Sequence, residues 1–151
     1  MRDQRFVAQH RGGPLAKEQH YQLVQWACDC ARHVLPLYGK RIDKRLVAAL
    51  GVAKDWTKGK ASVGDARKAS MGAIAVANEH SNPVEVAVAR AVAQAVATAH
   101  MADHSLGAAW YALKAARTAD GSPDEERKWQ DQRLAPDVRD LVLTARKRRR
   151  I

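Results

Sequence analysis

The chain has 151 residues, 46% of them apolar and 28% charged, which suits one domain with a single hydrophobic core and excludes a disordered chain. A net charge of +10 admits an anionic partner such as nucleic acid, a membrane surface or an acidic protein, without choosing between them. Aromatics make up only 5% while Ala and Val abound, so the expected fold is helices packed closely through small side chains.

The first residues, 1–15, include the turn Arg11-Gly12-Gly13-Pro14 and read as an irregular N-terminal arm. No apolar h-region follows Met1-Arg2-Asp3-Gln4-Arg5, so no signal peptide is expected. A single helical domain is expected over 16–145. Its first helix starts near Ala16, with Tyr21, Val24, Cys28, Ala31 and Leu35 on one apolar stripe and Leu23, Ala27, Cys30 and Val34 beside it. Pro36 stops it. Cys28 and Cys30 are two apart and cannot bridge within a helix, so no disulfide framework is implied and a reducing cytoplasm fits.

Asp43 offers the next N-cap, followed by Leu46, Ala49, Leu50, Ala53 and Trp56, with Gly59 as the stop. Ser62-Val63-Gly64-Asp65 resembles a capping box and opens a helix with Val63, Ala66, Ala69, Ala73 and Ala77 inward. Asn82-Pro83-Val84-Glu85 is a third start signal.

The helix it opens, over 84–99, is Ala and Val nearly all round, with Arg90, Gln94 and Thr98 as one thin polar strip. Such a helix is buried, and it is expected at the centre. It is long enough to raise a membrane span, but Glu85, Arg90, Gln94 and His100 argue against one. Asp103 is the expected cap of the following segment, with Leu106, Trp110, Leu113 and Ala116 on one face. Ser122-Pro123-Asp124-Glu125 opens a short helix anchored by Trp129 and Leu134. Pro136 restarts a last one with Val138, Leu141, Val142 and Ala145 inward. Residues 146–151, with Arg146-Lys147-Arg148-Arg149-Arg150, read as a basic, solvated C-terminal tail. No strand pattern survives. The fold expected is all-α, a compact multi-helix domain of about six to seven helices around the Ala/Val-rich central one.

Several stretches carry a resemblance. Cys28-Asp29-Cys30-Ala31-Arg32-His33-Val34-Leu35-Pro36-Leu37-Tyr38 and Ser62-Val63-Gly64-Asp65-Ala66-Arg67-Lys68-Ala69 are two of them. Ala97-Thr98-Ala99-His100-Met101-Ala102-Asp103-His104, Glu126-Arg127-Lys128-Trp129-Gln130 and Leu134-Ala135-Pro136-Asp137-Val138 are others. Together the chain resembles a family of bacterial immunity proteins, the immunity-protein-five-like group, over most of its length. The resemblance implies an all-α, non-enzymatic protein of polymorphic toxin systems that binds a cognate toxin and blocks it. The basic balance departs from the acidic one usual among immunity proteins against nucleases, so the toxin's identity stays open.

Two patterns carry candidate chemistry. His100 and His104 are four apart and share a helix face, and Cys30 and His33 are three apart; if their helices met, the four would form a tetrahedral metal set. The spacing lacks the Glu of a zinc protease and has no Cys-x-x-Cys pair, so no metal, cofactor or catalytic residue is expected, and a metal-binding helical enzyme using the His100/His104 pair is the second alternative. Asp103 reads as a cap and Asp29 as an ion-pair partner of Arg32 rather than as proton-transfer groups. The second pattern is basic: Lys40, Arg41, Lys44, Arg45, Lys54, Lys58 and Lys60 gather around one helix and its flanking turns as a candidate binding patch. A basic helical nucleic-acid-binding or regulatory protein is therefore the first alternative, although no helix-turn-helix signature supports it.

Overall fold

The structure is a computed structural model describing residues 2–151. Among them are seven α-helices: α1 (Lys17–Val34), α2 (Lys44–Thr57), α3 (Val63–Glu79), α4 (Pro83–Ala97), α5 (His104–Thr118), α6 (Pro123–Gln132) and α7 (Pro136–Arg149). The described residues contain no strand, only an isolated bridge between Ala8 and Leu15. Among the described residues no helix is long and apolar enough to cross a membrane.

Local chemistry explains the boundaries. The α1 helix ends at Val34, and Pro36 falls in a 3-10 turn over Leu35–Tyr38. Asp43 caps α2 by accepting from the Arg45 amide, and Gly59 just beyond its end has φ +73, a left-handed conformation that glycine takes without strain. The capping box of α3 is complete: Ser62 Oγ accepts from the Asp65 amide at 3.0 Å, and the Asp65 carboxylate accepts from the Ser62 amide at 2.9 Å. Asn82 Oδ1 accepts from the Val84 and Glu85 amides at the head of α4, with Pro83 at the first helical position. Ser122 does the same for Glu125 in α6.

The α4 helix is the centre of the fold. It packs against α1, α2, α3 and α5, and its Ala and Val side chains from Ala87 to Val96 are almost all buried. Small side chains let four neighbours approach one axis. The helix stops two residues earlier than its composition suggests, at Ala97. There His20 of α1 hydrogen-bonds to the Thr98 carbonyl at 2.7 Å, so a side chain serves a backbone group at the point where the ladder breaks. The polar strip is graded rather than uniform: Arg90 is exposed, Gln94 half-buried, and Thr98 fully buried with its hydroxyl donating to the Gln94 carbonyl.

Three local expectations are corrected. Val63 lies exposed instead of facing inward, while Val76 and Ser70 of the same helix are buried. Asp103 precedes α5 but makes no capping bond; its carboxylate lies 3.9 Å from Arg2 and 3.7 Å from Arg149. Among the described residues Asp29 has no cation within ion-pair distance, Arg32 included.

The chain's two ends are tied to the body. Phe6 and Leu15 are buried in the core, and Arg5 donates to Thr144 of α7. The α7 helix continues through the basic run to Arg149, and Arg146 within it is 3% exposed.

Candidate functional site

The joint between α4 and α5 brings His100 and His104 together, with ring centroids 5.3 Å apart. His104 Nδ1 donates to Gln94 Oε1 at 2.8 Å, which sets its tautomer. Gly107 makes room for this bond, since a Cβ there would sit 2.6 Å from the same Gln94 oxygen. His100 Nδ1 is buried without a hydrogen-bond partner among the described residues.

Cys30 and His33 belong to a different arrangement. His33 turns to Glu126 of α6, its Nδ1 lying 2.6 Å from the carboxylate, and its ring stacks on Trp129 at 3.6 Å and 4° between planes. Arg133 lies 4.7 Å from the same indole. His33, Glu126 and Trp129 wall a cleft of about 410 Å³ together with Val34, Leu37 and Ala116. Cys30 is fully buried. The tetrahedral set of His100, His104, Cys30 and His33 is therefore not assembled, and no three His, Cys, Asp or Glu among the described residues are grouped to hold a metal ion.

Both thiols are free, and burial pushes Cys28 up to about 12 and Cys30 well above the usual thiol range. A thiol held protonated inside the core is a poor nucleophile. An aromatic disulfide reagent is expected to find no reactive thiol in the native protein and both thiols after denaturation. Rapid native labelling of either cysteine contradicts this burial.

Burial also lowers the proton affinity of three histidines. His20 is held below the ordinary value by desolvation, partly offset by its bond to Thr98. His100 is lowered first by desolvation and then by His104, Arg67 and Arg11. His104 is lowered by desolvation against the opposing pull of Asp103. The unfolded chain, with histidines near 6.5, therefore takes up protons before the folded one does. Stability present above that value is lost as pH falls through the depressed folded values. The thermal midpoint is expected to stay level above about pH 7 and to fall from there to about pH 5, less steeply in His104→Gln. A flat profile across that window contradicts the expectation.

The basic candidates are all exposed, but they separate into two groups. Lys40, Arg41, Lys44 and Arg45 surround the start of α2; Lys54, Lys58 and Lys60 surround its end. Lys44 and Lys54 are about 15 Å apart along the axis at ~1.5 Å per residue. Arg45 is already engaged by Asp43 at 2.9 Å and by Glu79 of α3. Lys54 and Lys58 border a hollow of about 200 Å³ with Cys28, Asp29 and Arg32.

Sequence reasoning passed over Glu126 and Gln130, the two buried residues of α6. Their spacing of four was the available signal, hidden because both are polar. Gln130 accepts from Arg146 at 2.6 Å and donates to the Ala109 carbonyl at 3.1 Å, while its own carbonyl accepts from the Trp26 indole at 2.8 Å.

Comparison with known proteins gives one result of substance. No curated protein and no solved structure matches the chain. The family described as Imm-5 like putative immunity protein matches residues 13–137, from the end of the N-terminal arm to the start of α7. That span includes the whole of α1 to α6 and the His100/His104 joint, and on it the chain belongs to this family.

Proposed function

We propose that the protein binds a cognate bacterial toxin and neutralises it by covering a site on it, without catalysis. The family match over residues 13–137 carries this reading. The internal engagement of its histidines and thiols supports it: His33 is held by Glu126, His104 by Gln94, and both thiols lie in the core. A net charge of +10 favours electrostatic steering toward an acidic surface, which speeds encounter more than it tightens the complex. The site of action on this reading is the cytoplasm of the toxin-producing cell and its kin.

The test is co-expression with any toxin domain found in the neighbouring reading frame. Cells carrying both are expected to grow, and cells carrying the toxin alone to arrest. If the folded protein accumulates and the cells still arrest, the reading falls. The same charge underlies a second reading, a nucleic-acid-binding regulator. That one requires affinity for random duplex DNA falling steeply with salt.

A further inference from the structure

The α4 helix packs between α3 and α5, and the three leave one outer face uncovered. Three of the large apolar side chains that stay exposed stand on its flanks: Met71 at 68% and Ile74 at 46% on α3, and Trp110 at 37% on α5. Met71 and Ile74 are three apart and so share one side of α3. A hollow of about 240 Å³ runs between Ile74 and Asn78 of α3, Arg90 and Gln94 of α4, and Tyr111 of α5. A second, of about 250 Å³, is bounded by Pro83, Val86, Arg90, Tyr111 and Lys114. The two share Arg90 and Tyr111, whose guanidinium lies 5.9 Å from the ring centroid. They are two halves of one groove with a cationic and aromatic ridge between them. Lys114 lies 5.4 Å from the Trp110 centroid, and Trp110 meets Tyr111 edge to face at 4.9 Å.

The charge of this region is one-sided. Arg67, Arg90, Lys114 and Arg117 are exposed, and among the described residues none has a carboxylate within 4.0 Å. Arg45 and Arg146, by contrast, are each held by an internal acid. Met, Trp, Tyr and Arg together are the residues enriched where proteins meet proteins. A groove for single-stranded nucleic acid presents open aromatic faces to stack on bases. Here Lys114 lies over Trp110 and Arg90 over Tyr111, so the cations already occupy ring faces that bases would need.

We propose that the α3–α4–α5 face is a docking surface for a partner protein that sets carboxylates around an apolar projection. The assignment rests on the toxin-binding reading and adds to it the chemistry of the toxin's contact face. The apolar projection fills the groove beside Ile74 and Tyr111, and the carboxylates pair with Arg90 and Lys114. The two basic groups at the ends of α2 lie outside this contact.

Two measurements on the full-length protein test it. In the first, binding to any toxin domain found in the neighbouring reading frame is measured for the wild type, for R90E/K114E, for Met71→Asp, and for K54E/K58E on α2. The first two variants are expected to bind at least about 30-fold more weakly, the size of a hot-spot loss, and K54E/K58E within about 3-fold of wild type. All these side chains are exposed, and an unchanged circular dichroism spectrum certifies each fold. If R90E/K114E and Met71→Asp bind like the wild type, or if K54E/K58E carries the loss, the surface is wrong and the toxin-binding reading stands. If the wild type neither binds nor protects, that reading is wrong, and the second measurement judges the surface alone. In it, poly-L-glutamate is titrated into isotope-labelled protein and backbone amide shifts are followed. Shifts centred on Ile74, Arg90, Gln94 and Tyr111 support the surface. Shifts centred on the ends of α2, no shifts at all, or a response to duplex DNA alone overturn it.

Discussion

Trp26→Ala is expected to lower the unfolding free energy by about 3–5 kcal/mol, the range for truncating a buried aromatic. Trp26 is 2% exposed on α1, and its indole N–H donates to the Gln130 carbonyl of α6 at 2.8 Å. The Arg146 guanidinium of α7 lies 5.7 Å from its ring. One side chain thus joins three helices, and its removal opens a cavity where they meet. A chain of this size holds only about 5–15 kcal/mol in total, so the alanine variant sits near the limit of folding. Trp26→Phe keeps most of the ring and forfeits the hydrogen bond, at about 1–2 kcal/mol. Urea unfolding of both variants checks the ordering. A loss below about 1 kcal/mol for the alanine variant means that the α1–α6–α7 corner does not hold the fold.

Arg146→Ala is the second large effect, expected at about 2–3 kcal/mol. Arg146 Nη2 donates to Gln130 Oε1 at 2.6 Å and Nη1 to Asp131 Oδ1 at 3.1 Å. Alanine leaves the fully buried Gln130 with an unmet acceptor. Asp131 is 27% exposed and regains water, which keeps the loss below that of a wholly buried ion pair. Burial also lowers the proton affinity of the guanidinium, so the native arrangement carries a desolvation cost of its own. Arg146→Met fills the space without a charge and is expected to recover about half of the alanine loss. Arg146→Lys keeps the charge but lacks the fork that reaches both acceptors, and should fall between wild type and alanine. Chemical denaturation of the three variants decides; an alanine variant within about 0.5 kcal/mol of wild type shows that the pair is dispensable.

The caps Asp43, Ser62, Asn82 and Ser122 were legible in the sequence as helix starts because each places an acceptor beside unpaired amides. The central place of α4 followed from a helix with almost no polar side. Arg146 was not readable as a core residue. It sits four residues after Val142 on the inward stripe of α7, yet in a run of five cations a buried arginine looks like its solvated neighbours. Glu126 and Gln130 were missed for the same reason: burial of a polar group depends on partners that only the fold supplies. The basic candidates on α2 looked like one patch because sequence distance ignores the length of the helix that separates them. The groove on α3, α4 and α5 joins residues more than thirty positions apart, as Ile74 and Tyr111 are, and no local pattern announces it.

The Ala and Val make-up of α4 has a kinetic consequence. Alanine has no rotamer to freeze, and valine on a helix has one strongly preferred. The floor beneath the groove is therefore a preorganised backbone scaffold, with freedom confined to the long side chains at its rim, Met71, Arg90 and Lys114. A surface built this way associates without waiting for its own interior to rearrange. Encounter then follows diffusion and salt, and the lifetime of a complex is governed by how many rim side chains become ordered on contact.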